Sequence, residues 1–214
     1  MESKSSDELR QAYMDAMGIE LGLRFHELER SFVHLQVLWL QYRALYAEED
    51  NVALLNRTAG LAFMLIQDEV WDGVMLRIAR LTDPVQQRGN DNLTLFSMPP
   101  LIPDADLKTE VMAACKDAKT KADSIRVHRN KRLAHLDLRY ALDQSEPLSG
   151  VSRADIELVL TSMREVFNLV HGHYRQSETH YEGFVDHSGA RVLVETLRER
   201  ERLVERYGRL PPFP

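Results

Sequence analysis

A chain of 214 residues, 44% hydrophobic and 28% charged, has the composition of one well-buried globular domain and leaves little room for two. Its formal net charge of −6 excludes a protein that coats nucleic acid nonspecifically, because that mode needs a broad positive surface. A single cysteine, Cys115, cannot close an intrachain disulfide, which points to a reducing compartment.

The opening "MESKSSDELR" lacks the apolar core of a signal peptide, and no run approaches the length of a membrane span. The expectation is a cytoplasmic protein with no membrane partner. Gly and Pro are few, so long uninterrupted segments favour helix. The first is a long helix marked by one stripe. Leu21, Phe25, Leu28, Phe32, Leu35, Trp39, Tyr42 and Tyr46 recur at alternating spacings of four and three, placing eight apolar side chains on one face.

A second helix is expected from about 51 to 81, with Ala62, Ile66, Val70, Val74, Ile78 and Leu81 on its inner side. Pro84 ends it, since proline disfavours helix at the residue before it. Residues 83–103 carry four prolines and read as the one long loop. Asp104 is placed to cap the next helix, with Asp106 in its first turn and Leu107, Val111, Ala114 and Ala118 along its stripe. Ser152 is placed to cap a further long helix bearing Ile156, Leu160, Met163, Phe167, Val170 and Tyr174.

After Gly189 the segment "ARVLVETLRERERLVERYG" reads as a highly charged helix with a thin apolar line at Leu193, Leu197 and Val204. No strand alternation competes anywhere. The expected fold is all-α, an up-and-down bundle of four long helices with extra helices at the N- and C-terminal ends.

Charge is strongly partitioned. Residues 126–139, "RVHRNKRLAHLDLR", hold five Arg or Lys against one Asp, a net of +4, which leaves −10 for the rest of the chain. Continuing the stripe Ala118, Ala122, Ile125 puts Arg129 on the buried side, where a guanidinium requires a carboxylate, a phosphate or a subunit interface. An internal pair with Glu69 or Asp72 is the bland alternative. His128 and His135 share another face with Lys131, Arg132 and Arg139. Six helical residues separate Arg129 from His135 by about 9 Å of rise and roughly 120° of azimuth, so one straight helix does not converge them. Either the helix is irregular there, or two copies meet across a symmetric dimer.

The motif Arg129, Asn130, four intervening residues and His135 resembles the signature of the HEPN superfamily, and the helix lengths around it resemble the AbiU-like branch associated with phage abortive infection. The resemblance covers roughly residues 19–178. It implies a single HEPN-like helical domain over 1–214, with the charged helix at about 189–207 as an addition. It further implies a homodimer and a metal-independent endoribonuclease without a cofactor. Arg129, His135 and Asn130 would be its catalytic residues, and RNA would be gripped by Arg126, His128, Lys131, Arg132 and Arg139.

The residue types suit that chemistry. Histidine titrates near about 6.5 and can take a proton from a ribose 2′-hydroxyl or deliver one to the leaving oxygen. A positioned guanidinium stabilises charge growing on the phosphoryl oxygens. Some members of the superfamily bind RNA, nucleotide or protein without cutting, and that non-catalytic module is the alternative. Toxins of this kind pair with an antitoxin or with a nucleotidyltransferase. In another branch the latter acts on a tyrosine two residues beyond the histidine, where Asp137 stands here.

His171, His173, His180, His187 and Asp186 crowd into seventeen residues, but their spacing lacks a helical i, i+4 ligand pair, so surface or helix-end histidines are expected rather than a metal site. Trp71 is expected to pack, Arg77 and Arg80 to lie on a solvated face, and Cys115 to be a buried, inert thiol. No Gly-rich phosphate loop, nucleophile elbow or Cys-x-x-Cys pair occurs.

Overall fold

The structure is a computed structural model that describes residues 5–87, 89–128, 150–183 and 188–208. These are all-α apart from one tiny ribbon, and they fall into two compact units. The first comprises the described residues of Met1–Gln36 and Met75–Tyr181, the second those of Val37–Val74 and Glu182–Pro214.

The first unit opens with α1 (Ser6–Met17). Ser5 and Glu8 close a reciprocal capping box: the Ser5 hydroxyl accepts from the Glu8 amide, and the Glu8 carboxylate accepts from the Ser5 amide. α2 (Ile19–Tyr46) follows after one residue. Gly22 lets the two helices cross closely, because a Cβ there would lie 2.6 Å from the backbone of Tyr13 and Met14. Leu21, Phe25, Leu28, Phe32 and Leu35 are buried as their spacing predicts.

α3 (Glu49–Thr82) ends in this unit with Met75, Ile78, Ala79 and Leu81 buried. The connection after it is more ordered than a loop. Gln86–Gln87 (β1) pairs antiparallel with Asn90–Asp91 (β2), a ribbon the sequence reading lacked; Gly89 takes φ +82° at its turn, where a side chain would be strained. Two 3-10 turns, Leu95–Ser97 and Pro99–Leu101, then bury Leu95 and Met98, and Arg24 of α2 donates to the Ser97 carbonyl at 3.1 Å.

α4 (Ala105–Lys121) starts where expected, with the Asp104 carboxylate accepting from the Leu107 amide at 2.8 Å. α5 (Asp123–His128) continues it after a single turn residue, Ala122. α6 (Arg153–Arg175) begins at Ser152, again with a capping box, here completed by Asp155. α4 packs on α6, with Val111, Cys115 and Ala118 buried on one helix and Ile156, Val159, Leu160 and Met163 on the other. The aromatic centre is Phe32 stacked on Phe167 at 4.9 Å, with Phe25 and Tyr181 edge-on to this pair.

In the second unit, Trp39 stacks on Tyr42 at 5.3 Å and Trp71 packs on both, so Trp71 is a packing residue as expected. α3 kinks at Ala59, beside Gly60. The expected inner line fails only just after the kink, where Ile66 is 42% exposed and Ala62 is exposed too; Val70 is half-buried, and Val74, Ile78 and Leu81 are buried as expected. Phe63 and Gln67 take the inward places expected of Ala62 and Ile66, and Gln67 donates to the Tyr42 hydroxyl.

α7 (Ala190–Tyr207) carries the charged tail. Gln41 accepts from the Ala190 amide at 2.6 Å, standing in for the side-chain cap that Gly189 lacks. Arg198 donates to Asn51, and Arg57 donates two hydrogen bonds to Glu201. Ala190 and Val194 are the buried positions, whereas Leu193, expected on the inner line, is 41% exposed.

Candidate nucleic-acid interface

The basic stretch begins on α5, and its first turn is fixed from below and from the side. Ala122 and Ile125 are fully buried, and His128 is buried at the end of the helix. Arg126 reaches the C-terminal end of α3. Its Nη1 lies 2.9 Å from Asp83 Oδ1 and donates to the Ala79 carbonyl and the Thr82 hydroxyl, both at 3.3 Å. Carbonyls in the last turn of a helix have no partner within the helix, so a cation there satisfies them and complements the helix dipole. The Thr82 hydroxyl donates back to the Ile78 carbonyl at 2.9 Å and stays buried.

Arg126 is therefore a brace between α3 and α5, and its guanidinium is engaged within the protein. Next to it, Lys121 donates to Asp117 and to the Ser162 hydroxyl of α6, both at 2.8 Å, which locks the end of α4. Of the residues singled out in the sequence, Arg126 and His128 are thus placed. Arg129, Asn130, Lys131, Arg132, His135 and Arg139 lie outside the described residues.

A second polar constellation, missed in the sequence, lies in the core of the same unit. Glu29 is 7% exposed. Its Oε1 accepts from His171 Nε2 at 2.6 Å and from the Tyr181 hydroxyl at 2.7 Å, while Oε2 accepts from the Tyr13 hydroxyl at 2.5 Å. Burial pushes the Glu29 carboxyl up, but hydrogen bonds from His171 and Tyr13, the His171 charge and the Tyr181 bond outweigh it and hold the group below the ordinary carboxylate range. Burial, and then the Glu29 charge, pushes both tyrosines far above their usual range, so they remain donors.

Nε2 of His171 faces a carboxylate oxygen and carries the proton there, while Nδ1 is buried with no partner among the described residues. Neither nitrogen is placed to exchange protons with a substrate. The cluster ties α1, α2, α6 and Tyr181 together, and its role is structural. His171 is thus no surface histidine, in contrast to the exposed His173 and His180. The signal was present: Glu29 lies four residues after Phe25 and three before Phe32, and His171 four after Phe167, all on core stripes.

Other chemistry is limited. Among the described residues no three His, Cys, Asp or Glu side chains converge as metal ligands. Burial pushes the Cys115 thiol up to about 12, so it is no nucleophile. A cleft of about 750 Å3 between the start of α4 and the end of α6 is lined by Asp104, Asp106, Glu110, Glu165 and Glu178, and such a wall repels a phosphate backbone. No described helix is long and apolar enough to cross a membrane.

Comparison with known proteins adds family membership. The HEPN AbiU2 family model matches residues 19–193, most of the chain and all of the basic stretch. Comparison with curated proteins and with solved structures finds no match. The chain belongs to the HEPN AbiU2 family, a HEPN branch tied to abortive infection.

Proposed function

We propose that the protein is a metal-independent endoribonuclease of toxin or phage-defence type. In this reading His135 moves the proton, Arg129 stabilises charge on the phosphoryl oxygens, and Asn130 orients the scissile phosphate. The observation that carries the reading is the R-N-x-x-x-x-H motif inside the one basic stretch of an acidic chain of the HEPN AbiU2 family.

The 2′-hydroxyl loses its proton and its oxygen attacks the adjacent phosphorus; the bond to the 5′-oxygen breaks, and that oxygen takes up a proton. The products are a 2′,3′-cyclic phosphate and a free 5′-hydroxyl, with no metal required. Lys131, Arg132 and Arg139 contribute positive charge toward the phosphate backbone, whereas Arg126 is paired with Asp83 and His128 is buried, so neither is free for the phosphate contact the sequence suggested. Because one straight helix separates Arg129 from His135 by roughly 120°, the reading places the site across a homodimer. An antitoxin would hold it silent between infections; a partner nucleotidyltransferase would need a target other than the tyrosine position, which is Asp137 here.

Subunit mixing tests the composite site. Arg129→Ala and His135→Ala are each expected to abolish growth arrest in a bacterial host, and co-expression of the two is expected to restore it in part, since one hybrid site then keeps both residues. Co-expression as inert as either variant alone, beside an active wild type, would contradict a shared site.

A second reading is a non-catalytic RNA-binding module of the same fold. It would grip RNA through the same basic stretch without turning it over. Salt-sensitive RNA binding by the wild type without any cleavage would select this reading.

A further inference from the structure

We infer that a small apolar pocket beside the α5 brace receives one unpaired base of the RNA. The inference rests on the RNA reading above and names what the protein selects in its substrate. The pocket has a volume of about 300 Å3 and is lined by Thr82, Pro84, Val85, Phe96, Met112 and Lys119. This is the low end of the range for ligand sites, too small for a drug-sized molecule and suited to a single planar ring system.

Its walls have the chemistry of a base site. Phe96 sits in the first 3-10 turn between the buried Leu95 and Ser97, which anchor its backbone, and is itself half-buried. Met112 and Lys119 are seven residues apart on α4, two turns along one helix face. The aromatic ring offers a stacking surface, the thioether adapts to an irregular edge, and the exposed lysine at the rim suits the phosphate that follows the base. No carboxylate lines the pocket, in contrast to the acid-lined cleft between α4 and α6.

Position completes the argument. Thr82 lines the pocket, and its hydroxyl accepts from Arg126. The catalytic motif begins three residues after Arg126 in the sequence, a span of at most about 11 Å of chain. A base seated here anchors the strand beside Arg126, three residues before the motif begins in the sequence. Bases in a duplex cannot enter such a pocket, so the protein selects single-stranded segments.

The test is equilibrium binding of the full-length protein to short 2′-O-methyl RNA, which lacks the nucleophile and cannot be cut. A base-bearing strand is compared with strands carrying one abasic residue at each position in turn. Met112→Trp fills the pocket, Phe96→Leu removes the ring while keeping an apolar wall, and thermal melts verify that both fold.

Wild type should lose about tenfold in affinity when one particular position is abasic, and both variants should lose about as much on the base-bearing strand while matching wild type on that abasic strand. If every abasic strand binds wild type as well as the full strand, or both variants match wild type, the pocket is overturned while cleavage of ordinary RNA still stands. If wild type neither binds nor cuts RNA, the ribonuclease reading and the pocket fall together.

Discussion

Glu29 shows how one side chain sets a large part of the stability. It is a carboxylate inside an aromatic core, tolerable only because three donors surround it. Replacing it with alanine leaves Tyr13, Tyr181 and His171 without their acceptor, and the expected loss is about 3–5 kcal/mol in urea unfolding. The pH dependence follows from the direction of its shift. A carboxyl held below its ordinary value of 4.5 contributes stability that is present above that value and lost as pH falls through the lower, folded one. The stability gap between wild type and Glu29→Gln should therefore be widest near neutral pH and narrow on acidification below 4.5. A gap that widens in acid would mean that the carboxylate is not the favoured state of the folded protein.

Arg126 belongs to the same scale, and two readings of it can be separated. As a brace, Arg126→Met should destabilise the protein by about 1.5–3 kcal/mol, because it removes a charge-assisted contact to Asp83 and donors to the end of α3. It should leave the salt dependence of RNA affinity unchanged. As a phosphate contact it would instead lower the slope of log affinity against log salt by about 0.7. Binding titrations at several salt concentrations measure that slope directly.

Among the elements, α2 was fully legible: every residue of its predicted stripe is buried, because strict spacing and large side chains leave one face available to a core. α3 was legible only in part. Its true inward line after the kink contains Gln67, a polar residue that hides the phase, while Ile66 looks inward on paper and is exposed. α7 deceived for a related reason. Of its expected line, Leu197 and Val204 are half-buried and Leu193 is exposed, while Ala190 and Val194 are buried and Arg198 and Glu201 are held by Asn51 and Arg57. Hydrophobic periodicity cannot find a face held by polar contacts.

The crossing of α1 and α2 gives a direct test at this scale. Gly22→Ala places a methyl group 2.6 Å from the Tyr13 and Met14 backbone, so the helices must separate. An expected cost of about 1–3 kcal/mol should appear as a lowered melting temperature. Because Tyr13 also donates to Glu29, the loss should be less than additive with Glu29→Gln. A neutral Gly22→Ala would show that the close approach carries no weight.

For the molecule as a whole, class and lineage were readable and the inner polar core was not. The all-α class follows from spacing, capping signals and scarce Gly and Pro, and the family follows from the match over residues 19–193. The burial of Glu29 and His171 was signalled by their places on core stripes, but their pairing was not, because the partners lie 142 and 152 residues away. Arg126 was seen as a charge in a basic run, whereas its partner, Asp83, became visible only once α3 and α5 were brought together. What the sequence did carry is the motif Arg129, Asn130, His135, which lies outside the described residues and on which the functional reading depends.

The most direct measurement of that reading is cleavage of single-stranded RNA by purified protein in EDTA, with the product ends identified. Wild type should yield 2′,3′-cyclic phosphate and 5′-hydroxyl ends, and His135→Ala should lose activity by about a hundredfold or more while melting at the same temperature. Equal cleavage by His135→Ala, or none by wild type freed of any silencing partner, would contradict it.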